Sequence, residues 1–238
     1  MTKSNLERKW TAAFERLSSE KKTRILNAAK CAFAMSGFAG ANINKIAESA
    51  GISIGSMYKY FRTKEDLFLT LIEKYHEYIA LFIDGVLASE GSFAGRVEAL
   101  LKASVQTSRD DPEAVKLYIA CTTEELAGLS SRLSSSIEEV SAVRYRAMVE
   151  EAQAKGEVDP SLDSGWTAFF LDDIFLMTQF SIGSDYYRTR LKLFLGATWA
   201  AGEGGTVGGR GDAAFDELVP RLLALILRSL APDRGQAS

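Results

Sequence analysis

The stretch NINKIAESAGISIGSMYKYF, residues 42–61, carries two glycines four residues apart and closes on Tyr58-Lys59-Tyr60. A segment that only filled a core would need neither feature. Asn42 suits an N-cap, because its side-chain oxygen accepts from the unpaired N–H groups of a first helical turn. A short helix with Ile43, Ile46 and Ala47 on its apolar face follows, and Gly51 ends it. Ser53 caps the next helix, over 54–60, where Met57 and Phe61 stand one turn apart on the same face. Tyr58 and Lys59 project elsewhere, close to Gly55 and Ser56.

The exposed side of that second helix therefore begins at a capped amino end, passes glycine and serine, and finishes in a phenol and an ammonium. This suits a helix that enters a DNA groove by its amino end, where free N–H groups attract phosphate. Gly51 fits the turn of a helix-turn-helix. Gly55 lets the backbone approach closely. Tyr58, Tyr60 and Lys64 are placed to meet phosphates, and Lys59 to reach a phosphate or a guanine edge. A packing unit of three helices with a solvated polar face shows the same spacing, so the remaining chain has to decide.

Outward from this stretch, the pattern is helical throughout. Ser18-Ser19-Glu20 opens a helix with Ile25, Ala28, Ala29, Ala32 and Phe33 at helical spacing, and Gly37 stops it. Thr63-Lys64-Glu65-Asp66 starts another, over about 64–87. Further helices are expected over 96–108, from Asp111-Pro112 to about 127, over 130–156, over 164–181, from Ser184 through Phe194, and over 215–230. Pro220 has to fall in the first turns of the last helix or kink it. GEGGTVGGRGD, residues 202–212, reads as a glycine-rich loop, and no GK[ST] follows its glycines to make a phosphate loop. The fold class expected is all-α. An N-terminal arm and three-helix helix-turn-helix domain occupy 1–66, and a larger helical ligand-binding and dimerisation domain occupies 67–238.

The charge is unevenly spread. The chain of 238 residues has a net charge of −3, yet residues 1–75 hold 13 Lys and Arg against 7 Asp and Glu, a balance of +6. The rest holds 15 against 24, a balance of −9. A basic first third on an acidic body is the pattern of a protein that meets a polyanion at one end. Cys31 and Cys121, both in apolar helical windows, read as two buried, reduced thiols. Residues 1–19 are polar and charged rather than signal-like, and no apolar run reaches membrane-spanning length. A soluble cytoplasmic protein is expected.

Residues 20–70 resemble the DNA-binding domain of the TetR family of transcriptional regulators. The resemblance rests on Gly37-Phe38, Ile43, Ile46-Ala47, Ala50-Gly51-Ile52-Ser53, Gly55-Ser56-Met57-Tyr58, Tyr60-Phe61 and Lys64-Glu65-Asp66-Leu67. Where the family pattern has paired threonines, this chain has Ala41 and Asn42, and Ile54 takes a position that is often basic or polar. The resemblance implies DNA contacts at Asn42, Lys45, Ser53, Gly55, Ser56, Tyr58, Lys59, Tyr60 and Lys64, to which Lys21 and Lys22 could add phosphate contacts. It implies a homodimer on a palindromic operator, formed by helices 164–181 and 215–230. It also implies a small-molecule effector held among the central helices, for which Tyr75, Tyr78, Phe82, Tyr118, Cys121, Tyr145 and Met148 are plausible lining. The mode implied is a repressor released by its effector; an activator of the same fold is the alternative.

In helix 164–181, Trp166, Phe169, Phe170, Met177 and Phe180 share a face, and Asp173 falls within it. A carboxylate in an aromatic stripe is costly unless something pairs with it. A basic side chain of another helix or of a mate subunit would serve, and so would a ligand. On the second reading Trp166, Phe169 and Asp173 join the pocket lining.

Other function classes are weaker. Glu73-x-x-His76 has the spacing of half a di-iron site, but the chain has a single histidine, and the second half is missing. The acid pairs Glu124-Glu125, Glu138-Glu139 and Glu150-Glu151 splay apart on a helix and cannot face each other as an acid and a base. No enzyme, metal or cofactor is expected. A helical adaptor that binds protein explains the acidic body but not the basic third or the Tyr58-Lys59-Tyr60 cluster.

Overall fold

The computed structural model describes residues 9–89, 91–121, 127–196 and 213–232. These fall into two compact units, one within Met1–Tyr78 and Lys116–Leu133, the other within Ile79–Val115 and Ser134–Ser238. The all-α expectation holds: among the described residues every regular element is a helix.

The first unit is built from α1 (Ala12–Glu15), α2 (Ser19–Gly40), α3 (Ile43–Ser49), α4 (Ile54–Tyr60) and the first part of α5 (Lys64–Ala88). Local chemistry sets each boundary. Ser18 Oγ accepts from Lys21 N, Asn42 Oδ1 from Asn44 N and Lys45 N, and Ser53 Oγ from Ser56 N. Gly37 breaks α2 with φ +66°, as its position in the sequence requires, and the chain adds one further turn to Gly40. Gly51 takes φ +64° between α3 and α4. Ile25, Ala29, Phe33, Ile46, Ala47, Met57, Phe61, Leu67 and Phe68 close the core. Phe33, Phe38 and Phe68 meet edge to face or stacked at 5.1–5.9 Å. The sequence reading missed α1. It is a single turn in a polar segment, and what orders it is tertiary: Phe14 is buried against Phe61 and Tyr60 at ring distances of 4.7 and 6.2 Å.

The second unit holds the rest of α5, α6 (Phe93–Asp110), the greater part of α8 (Ala127–Ala154), α9 (Ser164–Gly183), α10 (Asp185–Leu195) and α11 (Ala213–Leu230). Between α6 and α8, α7 (Pro112–Cys121) starts where Asp111 Oδ1 accepts from Ala114 N, the acid-proline start the sequence announced. Helix α6 packs on α9 and α11, and α9 on α10. The core includes Val97, Leu101, Met148, Val149, Leu171, Phe175 and Ile226. Some boundaries moved. Helix α6 begins three residues before the expected start because Ser92 caps Gly95 N, and α9 starts at Ser164 as expected, capped by Asp163 through Trp166 N, but runs on to Gly183. Pro220 sits eight residues into α11, beyond the first turn. The glycine-rich run 202–212 lies outside the described residues. No helix among those described is long and apolar enough to cross a membrane.

Candidate nucleic-acid interface

Helix α4 is anchored by one face and open on the other. Met57 and Phe61 are wholly buried, whereas Tyr58 is 50% exposed and Ser53, Gly55 and Lys59 face solvent. Ser53 Oγ accepts from Ser56 N at 3.1 Å and lies 2.9 Å from Ser56 Oγ, so the amino end of α4 is closed by hydroxyls. Asn42 and Lys45 are exposed at the amino end of α3. Gly55 has open space around it: the nearest atom to an added Cβ would be Ser53 Oγ at 4.0 Å. Close approach at Gly55 would therefore concern an outside partner, not the chain itself.

Four of the residues read as phosphate contacts have work inside the unit. The Tyr60 ring is buried beside Phe14, with Lys21 Nζ 6.0 Å from its centre. Lys22 Nζ lies 3.8 Å from Glu15 Oε1. Lys64 Nζ donates to the carbonyls of Phe38, Ala39 and Ala41 at 2.8, 3.2 and 3.4 Å. Those are carbonyls at the end of α2, so Lys64 closes that helix where sequence spacing had suggested a phosphate contact. The sequence reading weighed α4 by itself and missed what holds its far end. Thr11 Oγ1 donates to Lys59 O at 2.7 Å, and Thr11 N donates to Tyr60 O at 3.0 Å. The signal available was Trp10 and Phe14, two large aromatics in an otherwise polar segment.

The candidate pocket residues do not share one environment. In the first unit Tyr78 is exposed and Cys121 is buried, its thiol pushed up to about 12 by desolvation. Tyr118 lies 5.8 Å, ring to ring, from His76. Burial lowers His76 to about 4, and its Nδ1 is buried with no hydrogen-bond partner. In the second unit Phe82, Tyr145 and Met148 belong to or pack on the core. Tyr145 stands 5.4 Å from Phe175, and burial together with the Asp172 carboxylate pushes its hydroxyl up. Trp166 and Phe169 lie on the outside, 74% and 56% exposed, and Asp173 is exposed beside them. Their face is turned outward, so Asp173 keeps its hydration within one chain and needs no partner there. Cys31 is exposed. Among the described residues no group of three or more His, Cys, Asp or Glu is placed to hold a metal.

A capped recognition helix behind a glycine turn, carried on a small aromatic core, defines a helix-turn-helix domain. Residues 25–71 match the model of the bacterial regulatory proteins of the tetR family. By that match the chain resembles the family over its helix-turn-helix unit. It is similar to the HTH-type transcriptional regulator RutR of Escherichia coli O157:H7, 31% identical over 144 residues, 57% of this chain and 65% of that protein. The match thus spans less than two thirds of RutR's length. Two solved structures share the fold. The fatty acid degradation regulator FadR of Bacillus halodurans is 18% identical, with a TM-score of 0.66 over 87% of this chain and 98% of that one. The regulator FadR of Bacillus subtilis, in complex with stearoyl-CoA, is 15% identical, with a TM-score of 0.65 over 87% and 98%.

Proposed function

We propose that this chain is a cytoplasmic one-component transcriptional repressor that binds a palindromic operator as a homodimer and is released by a small molecule. The carrying observation is the division of α4: Met57 and Phe61 lock one face, and Ser53, Gly55, Tyr58 and Lys59 are left outward on the other. A helix held this way meets a groove with polar groups and an approachable backbone. Asn42 and Lys45 extend the same kind of surface at α3. With Lys64 and Tyr60 engaged internally, Lys59, Lys45 and the N-terminal basic residues supply the phosphate contacts.

Two further features support the reading. The Trp166, Phe169, Phe170 and Met177 face of α9 is apolar and open, the kind of surface a second copy covers. A fold shared with a regulator solved with stearoyl-CoA makes a long-chain acyl-CoA the first effector to try.

Selection from a random duplex pool tests the reading. Enrichment of a two-fold symmetric sequence, with affinity falling steeply as salt rises, is the expected result. A pool that shows no enrichment overturns it. Of the variants, Lys59→Ala should lower the slope of log affinity against log salt by about one.

A further inference from the structure

Helix α4 has seven residues. So short a helix has little stability of its own, and its last turn stays formed only if something holds it. Its intrahelical bonding ends where Phe61 N donates to Met57 O. The carbonyls of Tyr58, Lys59 and Tyr60 then have no partner within the helix. Thr11 supplies two of the missing donors, its hydroxyl to Lys59 O at 2.7 Å and its N–H to Tyr60 O at 3.0 Å. Phe14, three residues on, is buried against Tyr60 and Phe61. Trp10 joins the segment to α5: Lys74 Nζ stands 4.5 Å from its ring centre, and its indole N–H donates to Glu15.

We propose that residues 10–15 set the pose of the recognition helix, with Thr11 as a positioning residue that fixes the turn bearing Tyr58 and Lys59. The segment lies upstream of the family match at residues 25–71. Thr11 is uncharged, so its effect on binding runs through α4. The inference rests on α4 being the DNA-reading helix. Base readout needs side chains held to fractions of an ångström, whereas nonspecific binding needs only charge near phosphate. Loosening the last turn should therefore cost specific binding and spare nonspecific binding.

The experiment uses the full chain with two duplexes of equal length, one enriched by the wild type from a random pool, the other of random sequence. Thr11→Val removes the hydroxyl at nearly constant shape, and Thr11→Ser keeps it. Thr11→Val is expected to bind the enriched duplex about fivefold more weakly, the effect of one lost hydrogen bond. It should bind the random duplex as the wild type does, with the same salt slope, and Thr11→Ser should restore the enriched-duplex affinity. If Thr11→Val binds the enriched duplex as tightly as the wild type, the positioning role is wrong. If both duplexes weaken in parallel with a lowered melting temperature, Thr11 only stabilises the fold. A wild type that enriches no duplex fails at a different step: it removes the DNA-reading assignment itself and this inference with it.

Discussion

The outer side of α4 and the outer face of α9 are both open to solvent, and their chemistry is opposite. Around α4 the exposed groups are mostly ones water solvates well, Ser53, Gly55, Tyr58 and Lys59, with Ile54 the one exposed aliphatic, and Met57 and Phe61 are fully inside. On α9 it is Trp166, Phe169, Phe170 and Met177 that stand out, around a single carboxylate, Asp173. The first surface is finished as it stands and suits a hydrated, charged partner that comes and goes. The second leaves apolar area in water and suits a partner that stays.

The largest test of the contrast is Phe169→Asp. If α9 is a subunit face, this change should weaken self-association by about 2 kcal/mol or more, seen as a shift from dimer to monomer in sedimentation. A chain that is already monomeric, or a variant that associates unchanged, would remove α9 from the interface. The analogous change on the other surface, Tyr58→Asp, should leave the oligomeric state untouched and abolish DNA binding.

His76 offers a test of the first unit that neither surface touches. Its ring is neutral in the folded chain down to about pH 4, against an ordinary value of 6.5. Below pH 6.5 the unfolded chain takes up a proton that the folded chain refuses, so the stabilising contribution is whole above 6.5 and is lost as pH falls toward 4. Between pH 7 and 5 the loss should be about 2 kcal/mol in denaturant unfolding. No other histidine titrates in that window, and His76→Leu should flatten the profile.

A smaller effect is expected where α9 crosses α7. A Cβ at Gly183 would stand 2.6 Å from Val115 Cβ and Cγ1. Gly183→Ala should cost about 1–3 kcal/mol through overpacking, and adding Val115→Ala should recover only part of it, because the Val115 Cβ stays in the way. A single variant as stable as the wild type would mean that the crossing is free to shift.

The helix-turn-helix was legible because its signals are local. Asn42, Gly51, Ser53 and Thr63 each act on neighbours within four residues, and the helices began and ended where those caps and turns said. Met57 and Phe61 were read correctly as the buried pair, but Tyr60, read as a phosphate contact, is buried against Phe14. Long-range tasks were not legible. Nothing in the sequence near Lys64 says that its ammonium reaches back to the carbonyls of Phe38, Ala39 and Ala41, and nothing near Thr11 says that it caps a helix ending at Tyr60. Of the aromatic stripe read on α9, Trp166, Phe169, Phe170 and Met177 share an open face, whereas Phe180 is buried. Periodicity shows which residues share a face and is silent on whether that face turns in or out, so Trp166, Phe169 and Asp173 were read as possible lining when they lie outside.

The two thiols differ in a way that helps the experimenter. Cys31 on α2 is open to reagents, while the sulfur of Cys121 is shielded and hard to ionise. A maleimide spin label should therefore attach once per chain, with no engineered cysteine. In an assembly of two copies, the pair of labels would act as a ruler between the two helix-turn-helix domains, read by pulsed electron resonance with and without duplex.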